Sequence, residues 1–217
     1  MKFDPHIHHR QSIRLRNYDY SQRGAYFVTI CTHNKECLFG AVTDGAMIMN
    51  DAGRMIEEWW RELPNKYPMI DMDAYTVMPN HFHGIIAIVG AALHGRPKTD
   101  EPGQPHRVAS TTICDAVVGA ALRGRPKTDD SGQPHRVAPT LGAMIDWFKT
   151  MTTNEYIRGV KQCRWRPFPG RFWQRNYYEH VIRNEQDLTA VREYIVNNPA
   201  GWDKDDYHPA LAGPADQ

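Results

Sequence analysis

The chain has 217 residues, of which 24% are charged and 41% hydrophobic, a balance typical of a globular protein in water. This length predicts one domain with a real core and room for an insert. No apolar run approaches the length of a membrane span, and residues 1–12 lack the apolar centre of a signal peptide, so we expect a cytoplasmic protein with no membrane partner. The four cysteines form no C-x-x-C pair, which predicts free thiols and indicates neither a zinc ribbon nor a disulfide framework.

The formal net charge of +1 argues against a protein that coats DNA, but the charge is unevenly distributed. Acidic residues are few in the N-terminal stretch, which carries several arginines, and they are absent between Arg158 and Arg175, where six basic residues lie. A local basic surface on a nearly neutral protein is typical of contact with a polyanion along one face.

The first part of the chain predicts a tail, a strand and a hairpin. Residues 1–23 are interpreted as a flexible basic segment that ends in turn-forming residues. An unbroken apolar run over residues 25–32 predicts a strand that is buried on both faces. A short hairpin is expected over residues 37–49, with Gly40 and Asp44-Gly45 as turns.

A helix is predicted next, capped by Asn50 or Asp51. Trp59 and Trp60 fall at helical spacing with other apolar residues, and we expect them in the core rather than stacked on bases. Residues 70–89 then predict either two strands or one long strand, rich in β-branched residues.

A close duplication separates the two halves of the chain. The stretch VGAALHGRPKTDEPGQPHRVA at 89–109 recurs as VGAALRGRPKTDDSGQPHRVA at 118–138. Two copies are too few for a stacked repeat array, and this Gly-, Pro- and Lys-rich composition cannot bury much apolar surface. We interpret residues 90–139 as a flexible insert, which leaves open whether its duplication affects activity.

The second half predicts a helix, a strand and a final helix. Thr140 is expected to cap a long amphipathic helix, and residues 172–182 are expected to form a strand. The last helix is expected to begin at Asn184 or Asp187 and to end at Asn198, which precedes a proline. The polar tail over residues 203–217 is expected to fray.

This order of elements predicts an α+β fold. An antiparallel sheet with helices packed on one face, as in ferredoxin-like and RNA-recognition folds, accommodates strands and helices in this sequence. The domain would span residues 24–202, interrupted by the insert.

His81 and His83 lie in the stretch that carries most of the functional information. Side chains two apart on a strand point to the same face, so the two imidazoles would lie side by side, with Phe82 turned into apolar packing. Two neutral imidazoles at this distance are suitable metal ligands. A lone His-x-His is more often a pair of strand-end and surface residues, and this pattern alone leaves both interpretations open.

Tyr194 and Asn198 are four residues apart on the last helix and share a face. A tyrosine hydroxyl can act as a nucleophile on a phosphate, and an amide oxygen can join two imidazoles in holding Mg²⁺ or Mn²⁺. Such a site requires the last helix to lie across the sheet face that carries the histidines. From the residues alone, a buried helix tyrosine and a helix C-cap remain the simpler explanations.

Tyr177 and Tyr178 are rival nucleophiles, and His180 follows them closely. We rank them lower because a tyrosine on a strand lacks the partner one helical turn away, and we expect both rings to pack in the sheet. His180 is either a group that supports the site or a partly exposed sheet residue.

Three stretches resemble the REP-associated tyrosine transposases, members of the HUH endonuclease superfamily related to single-strand insertion-sequence transposases. They are MPNHFHGII at 78–86, FWQRNYYEHVIRNEQDL at 172–188 and REYIVNNP at 192–199, and the lead-in SIRLRNYDYSQRGAYFVTICT at 12–32 is also similar. The resemblance covers residues 12–202 except the insert. The H-x-H motif alone is weak, but its combination with W-Q-x₃-Y-x-H-x-I-R and Y-I-x-x-N-P is specific.

The resemblance implies an HUH endonuclease fold and a role for each of four residues. His81 and His83 match the metal ligands, and Asn198 matches the third ligand of Mg²⁺ or Mn²⁺. Tyr194 matches the nucleophile that becomes joined to the 5′ phosphate of single-stranded DNA. With the resemblance, the catalytic interpretation of these residues takes precedence over the structural one.

The resemblance also implies a substrate, since the family acts on hairpins from repetitive palindromes. A segment near the N-terminus resembles the part that reads the foot of the hairpin, and it contains Arg14, Arg16 and Asn17. Cations interleaved with aromatic rings suit unpaired DNA, because cations bind phosphates while rings stack on bases. Four such arginines in the second half are further candidates for DNA binding: Arg164, Arg166, Arg171 and Arg175. At least one of the neighbouring aromatic residues is expected in the core.

We therefore expect a metal-dependent endonuclease and strand transferase that acts on palindromic hairpin DNA through a 5′-phosphotyrosine intermediate. The alternatives are a hydrolytic metallo-nuclease and a non-catalytic nucleic-acid-binding module. The expected protein is nucleoid-associated and a monomer rather than a dimer. The sequence does not fix the DNA sequence recognised, the metal used in the cell, or whether one chain or a swapped pair builds the site.

Overall fold

The computed structural model of the chain describes residues 19–89 and 139–210. The predicted tail residues Arg14, Arg16 and Asn17, the duplicated segment up to residue 138 and residues 211–217 lie outside the described residues. Within the described part of the chain, no helix combines the length and the apolarity that crossing a membrane requires.

Six strands and four helices form the described elements. The strands are β1 (Gly24–Cys31), β2 (Gly40–Thr43), β3 (Ala46–Met49), β4 (Ile70–Val77), β5 (His81–Ile88) and β6 (Tyr178–Ile182). The helices are α1 (Asp51–Arg61), the short α2 (Leu63–Lys66), α3 (Leu141–Gln162) and α4 (Glu185–Asn197). Two 3₁₀ turns, His33–Lys35 and Pro199–Lys204, complete the set.

The main sheet has the strand order β4-β5-β1-β6 and is antiparallel throughout. The chain forms two strand–helix–strand units, β1-α1-β4 and β5-α3-β6. In the sheet, β5 lies between the two strands of the first unit, and β1 lies between the two strands of the second. This is the ferredoxin-like arrangement, so the predicted fold class is confirmed. The hairpin of β2 and β3 forms a separate small sheet, joined at the Asp44-Gly45 turn as predicted.

The two faces of the sheet carry different layers. One face of β1, with Tyr26 and Val28, packs into the main core against α1 and α3. The opposite face, with Phe27 on β1 and Ile85 on β5, forms a smaller cluster with Ile195 of α4. The last helix therefore lies across the sheet face that carries the odd-numbered residues of β5, as the predicted site requires.

Capping residues fix the starts of the three long helices. The side chains of Asn50, Thr140 and Asn184 accept hydrogen bonds from backbone N–H groups in the first turns of α1, α3 and α4. Each of these caps is among the residues that the sequence predicts, because a short polar side chain can satisfy a donor that the helix itself leaves free.

Two predicted elements differ from the structure. The strand expected over residues 172–182 is regular only over Tyr178–Ile182, because Phe172 and Trp173 both pack into the main core and Trp173 forms only an isolated bridge to Thr32. The tail expected to fray after Trp202 instead packs, over its described residues, beside the histidines of β5.

Gly84 follows His83 on β5 and faces the main core, where there is no space for a side chain. A Cβ atom at this position would lie 2.4 Å from Cζ2 of Trp60 and 2.8 Å from Cε1 of Phe82. Because overpacking costs about 1–3 kcal/mol, we expect Gly84→Ala to lower the free energy of unfolding by about that amount in urea titrations. The control is Gly201→Ala, whose Cβ meets nothing within 4 Å and which should unfold like the wild type. Equal unfolding midpoints for both variants would contradict this packing.

Candidate metal and nucleophile site

His81 and His83 project from the same face of β5, as the alternation of a strand predicts. Their rings are 0% and 1% exposed, and the ring centroids lie 4.5 Å apart. Phe82 points into the main core, where its ring contacts Trp60. The two imidazoles are thus neighbours inside the protein rather than residues of a wet surface.

The side chain of Asn80 fixes the orientation of His81. Its Nδ2 donates to the carbonyl oxygens of Lys35 (3.0 Å) and Tyr207 (2.8 Å), so its Oδ1 faces the ring and accepts from Nδ1–H of His81 at 2.9 Å. Because Nδ1 carries the proton, Nε2 carries the free lone pair. That Nε2 is buried and has no hydrogen-bond partner among the described residues.

His83 is held by contacts from three sides. Its Nδ1 lies 2.8 Å from Oγ1 of Thr29, the residue paired with it on β1, and its ring stacks on Phe27. Its Nε2 lies 3.4 Å from the hydroxyl of Tyr194. The outer nitrogen of each histidine is therefore bonded to the protein, and the inner nitrogen faces the other functional groups, which is the usual arrangement of histidine metal ligands.

Burial keeps both imidazoles neutral. It lowers the pKa of His81 to about 3, although a contact with Asn198 opposes this effect, and it holds the pKa of His83 well below its usual value, with His81 adding to the decrease. Neutral imidazole is the form that binds a metal ion, so both rings are ready to act as ligands at neutral pH.

Tyr194 lies on α4 with its ring over the histidine pair. The side chain is 46% exposed, and its ring meets Phe27 edge-on at 5.9 Å. Burial of the hydroxyl raises the pKa of Tyr194 to about 12, with nearby carboxylates adding to the increase. The phenol is therefore protonated in the metal-free protein, and a cation beside it would favour the phenolate.

Asn198, one helical turn beyond Tyr194, is buried at the end of α4. Its Nδ2 donates to Oδ2 of Asp205 at 3.1 Å, which leaves Oδ1 free, and this oxygen has no hydrogen-bond partner among the described residues. Contacts with Asn198 influence the pKa values of both His81 and Tyr194. All four predicted site residues are thus brought together within one chain.

Asp205 is a site residue that the sequence analysis missed. Its Oδ2 lies 3.9 Å from Nε2 of His81, and the ligand atoms of His81, His83 and Asp205 all lie within 4.8 Å of one another. Its other oxygen accepts from the backbone N–H of Tyr207 at 2.7 Å, which fixes the carboxylate. The run of acids after Trp202 gave no signal that one of them turns inward.

These donors fit a divalent cation. Two buried atoms without partners among the described residues, Nε2 of His81 and Oδ1 of Asn198, lie beside a carboxylate that supplies negative charge. An arrangement of imidazole nitrogens with amide and carboxylate oxygens suits Mn²⁺ or Mg²⁺, and imidazole favours the former.

An open cleft of about 720 Å³ leads to these residues. It is bounded by Phe27 and Thr29 of β1, by Tyr178 of β6, by one face of α4 and by the segment 201–207. Tyr194 lines the cleft, so a polymer strand lying there would reach its hydroxyl from solvent.

The predicted DNA-binding arginines lie elsewhere. Arg164, Arg166, Arg171 and Arg175 are exposed, but none of them is among the residues that line the cleft. Arg166 forms an ion pair with Glu36 at 2.8 Å. Their role in DNA binding stays a prediction, and the buried rings of this segment are core residues rather than stacking surfaces.

The rival tyrosines have different environments. Tyr177 is buried, whereas Tyr178 is 49% exposed and lines the cleft, contrary to the expectation that both pack in the sheet. His180 lies 3.0 Å from the carboxylate of Asp187 on α4, so it ties β6 to the last helix. His180 thus helps to hold α4 against β6 and is not among the proposed metal ligands.

Comparison with known proteins identifies a relative that is similar in sequence over almost the whole chain. No protein-family model matches the chain. A Haemophilus influenzae protein described as uncharacterized is 34% identical over 209 residues, which cover 94% of this chain and 96% of the relative.

Two solved structures are distantly similar to this chain. A REP-associated tyrosine transposase bound to a REP hairpin is 16% identical, with a TM-score of 0.46 and coverage of 86% of this chain and 72% of its own. A transposase candidate from Deinococcus radiodurans is 15% identical, with a TM-score of 0.34 and coverage of 85% and 95%. At these TM-scores, neither likeness bears on activity.

The buried histidines predict a loss of stability in mild acid. The pKa of His81 is about 3 in the folded protein and about 6.5 in the unfolded chain, so the unfolded chain binds more protons between these values. The stabilisation from the neutral ring is complete above about pH 6.5 and decreases as the pH falls towards the folded pKa. We expect the urea midpoint of the metal-free protein to fall between about pH 7.5 and about pH 5, above the range in which most carboxylates titrate.

A variant identifies the groups responsible. His81→Gln removes one of the two buried imidazoles and should make the pH dependence about half as steep, because His83 still contributes. A wild-type midpoint that does not change over this pH range would contradict the burial of neutral histidines.

Proposed function

We propose that this chain, which belongs to the same family as the Haemophilus influenzae protein, is a metal-dependent endonuclease and strand transferase of single-stranded DNA. Tyr194 is the nucleophile, and His81, His83 and Asn198 are metal ligands. The substrate is DNA that folds into palindromic hairpins, a proposal that rests on the resemblance of the sequence motifs.

One observation carries the proposal: a tyrosine hydroxyl lies 3.4 Å from an imidazole that is 111 residues away in sequence. Packing of α4 on the sheet does not require a phenol beside His83. The next turn of the same helix brings Asn198 to the histidines. Cleavage of a phosphodiester by transesterification requires a nucleophile and a set of metal ligands beside it, and both lie here at the base of an open cleft.

The metal would be held by the inner nitrogens of His81 and His83, by Oδ1 of Asn198 and by Asp205. A bound Mn²⁺ or Mg²⁺ supplies positive charge that polarises a phosphate oxygen and lowers the pKa of a neighbouring hydroxyl. Asn80 and Thr29 keep the two imidazoles oriented, so the ligands need little rearrangement on binding.

The proposed reaction conserves the energy of the bond that it breaks. Oη of Tyr194 attacks the phosphorus and gives its proton to water in the open cleft, the P–O3′ bond breaks, and the departing O3′ takes a proton from water. The products are a DNA strand ending in a 3′-hydroxyl and a second strand joined through its 5′ phosphate to Tyr194. When a 3′-hydroxyl attacks this phosphotyrosine, it gives its proton to water, the P–Oη bond breaks, the DNA is rejoined and the phenol recovers a proton from water.

The proposed site is complete within one chain. Tyr194, Asn198 and both histidines come from the same copy, with contacts that need no exchange of α4 between subunits. We therefore propose that a monomer carries out the first cleavage step.

A hydrolytic metallo-nuclease is the second candidate, because the open cleft admits water to the proposed metal ligands. A non-catalytic module of the RNA-recognition type is less compatible, because Phe27 on the central strand β1 is covered by α4 rather than open for base stacking.

The nucleophile can be identified from a covalent adduct. We expect the protein, incubated with Mn²⁺ and a labelled hairpin DNA with single-stranded flanks, to form a protein–DNA adduct that survives a denaturing gel. Tyr194→Phe should abolish the adduct, and the matched control Tyr178→Phe, from the same cleft, should retain it. Cleavage without any adduct would establish the hydrolase instead, and loss of the adduct in Tyr178→Phe alone would assign the nucleophile to β6.

Asp205 should contribute directly to metal affinity. Asp205→Asn keeps the size of the side chain but removes a negative charge beside His81, and we expect Mn²⁺ to bind about tenfold more weakly or worse. Asp206→Asn is the control. Asp206 is the exposed neighbour of Asp205 and lies outside the ligand group, so this variant should bind Mn²⁺ like the wild type. Electron paramagnetic resonance of free Mn²⁺ measures both affinities without DNA, and equal affinities would exclude Asp205 as a ligand.

A further inference from the structure

Tyr178 presents an aromatic ring to the cleft, on the same sheet face as the histidine pair. The register of the sheet fixes this position, since Thr29 of β1 is paired with His83 on one side and with Tyr178 on the other. The side chain is 49% exposed although it is large and apolar over most of its surface. Nothing in the proposed reaction uses it.

Phe27 supports this ring and the proposed nucleophile together. It meets Tyr178 edge-on at 6.3 Å and Tyr194 edge-on at 5.9 Å, and it is itself buried beneath them. The two tyrosine rings therefore stand on one common base at the wall of the cleft. Both rings line the same cleft, so a strand lying along it with a phosphate at Tyr194 has Tyr178 within the same wall.

The charges of the cleft indicate how a strand can be held there. Among the described residues, its lining contains the carboxylates of Glu193, Asp205 and Asp206 and a single basic side chain, Lys204. Phosphate groups gain little from such a surface beyond the contribution of a metal ion at the histidines. An exposed aromatic ring binds bases irrespective of the charge around it, because stacking is not driven by net charge.

We propose that Tyr178 is a base-stacking residue, on whose ring a nucleotide next to the attacked phosphate is held. This inference rests on the proposed function and adds a binding role for β6. The stacked base fixes the direction of the strand across the cleft and keeps the phosphate at Tyr194. The role needs the ring and not its hydroxyl, so phenylalanine should replace tyrosine without loss.

The test measures binding of a single-stranded oligodeoxythymidylate, because stacking of this type tolerates any base. The full chain is titrated with the fluorescent oligonucleotide in the presence of Mn²⁺, and the dissociation constant is obtained from anisotropy. We expect Tyr178→Ala to raise the dissociation constant about fivefold or more, and Tyr178→Phe to leave it within about twofold. Val196→Ala removes part of another exposed apolar side chain, outside the cleft, and serves as the control without effect.

A second readout locates the contact itself. An oligonucleotide with one 5-iododeoxyuridine is irradiated in complex with the protein, and the crosslinked peptide is identified by mass spectrometry. We expect the crosslink at residue 178 in the wild type and in Tyr178→Phe, and its loss in Tyr178→Ala.

The outcomes separate this inference from the proposed function. If the wild type does not bind single-stranded DNA and forms no adduct with the hairpin, the proposed function itself fails. If the wild type binds but Tyr178→Ala binds as tightly, with crosslinks elsewhere, the stacking role is wrong while the nuclease remains. Loss of binding in Tyr178→Phe as well would show that the hydroxyl, rather than stacking, makes the contact.

Discussion

Burial of two neutral imidazoles side by side is the constraint on which the rest of the site depends. A charged ring at this depth would lose its hydration, so the fold keeps His81 and His83 unprotonated. Each ring then needs a partner for one nitrogen, and Asn80 and Thr29 provide these partners on the outer side. The inner nitrogens are left facing the same small space, where the groups from the end of the chain converge.

The same contacts link distant parts of the chain. Asn80 bonds to His81, to the carbonyl of Lys35 and to the carbonyl of Tyr207, so one amide joins β5 to the 3₁₀ turn after β1 and to the C-terminal segment. Lys35 in turn donates to the carbonyl of Asp206 at 2.9 Å. The carboxylate of Asp205 is therefore held at the histidines by bonds to the backbone of the two residues that follow it, and its position does not depend on a metal ion.

Much of this arrangement follows from periodicity in the sequence. The shared face of His81 and His83 follows from the alternation of a strand, and the shared face of Tyr194 and Asn198 follows from the helical turn. That these two faces meet is a tertiary fact, since neither spacing contains information about the other element. The motif resemblance supplied that link, and the packing of α4 on β4 and β5 provides its physical basis.

Other features had no local signal. The inward turn of Asp205 depends on contacts with Asn198 and Tyr207, in a run of residues that is polar enough to suggest a frayed end. The exposure of Tyr178 depends on β6 being the edge strand of the sheet, which the order of elements alone does not give. Phe172 and Trp173 were expected in a strand, but their simultaneous burial is decided by the core around Phe39 and Tyr156.

The direction of β5 has a consequence for how this protein can change in evolution. The strand begins at His81 and ends at Ile88, so the point at which the duplicated segment departs lies about 23 Å along the strand from the first histidine. The chain resumes at the start of α3, whose first turn is anchored to Tyr20 and Tyr67 rather than to any metal ligand. Copies of the segment can therefore be gained or lost at the far end of β5 while the site at the opposite end of the strand keeps its geometry. The gene thus has a position at which its length can change.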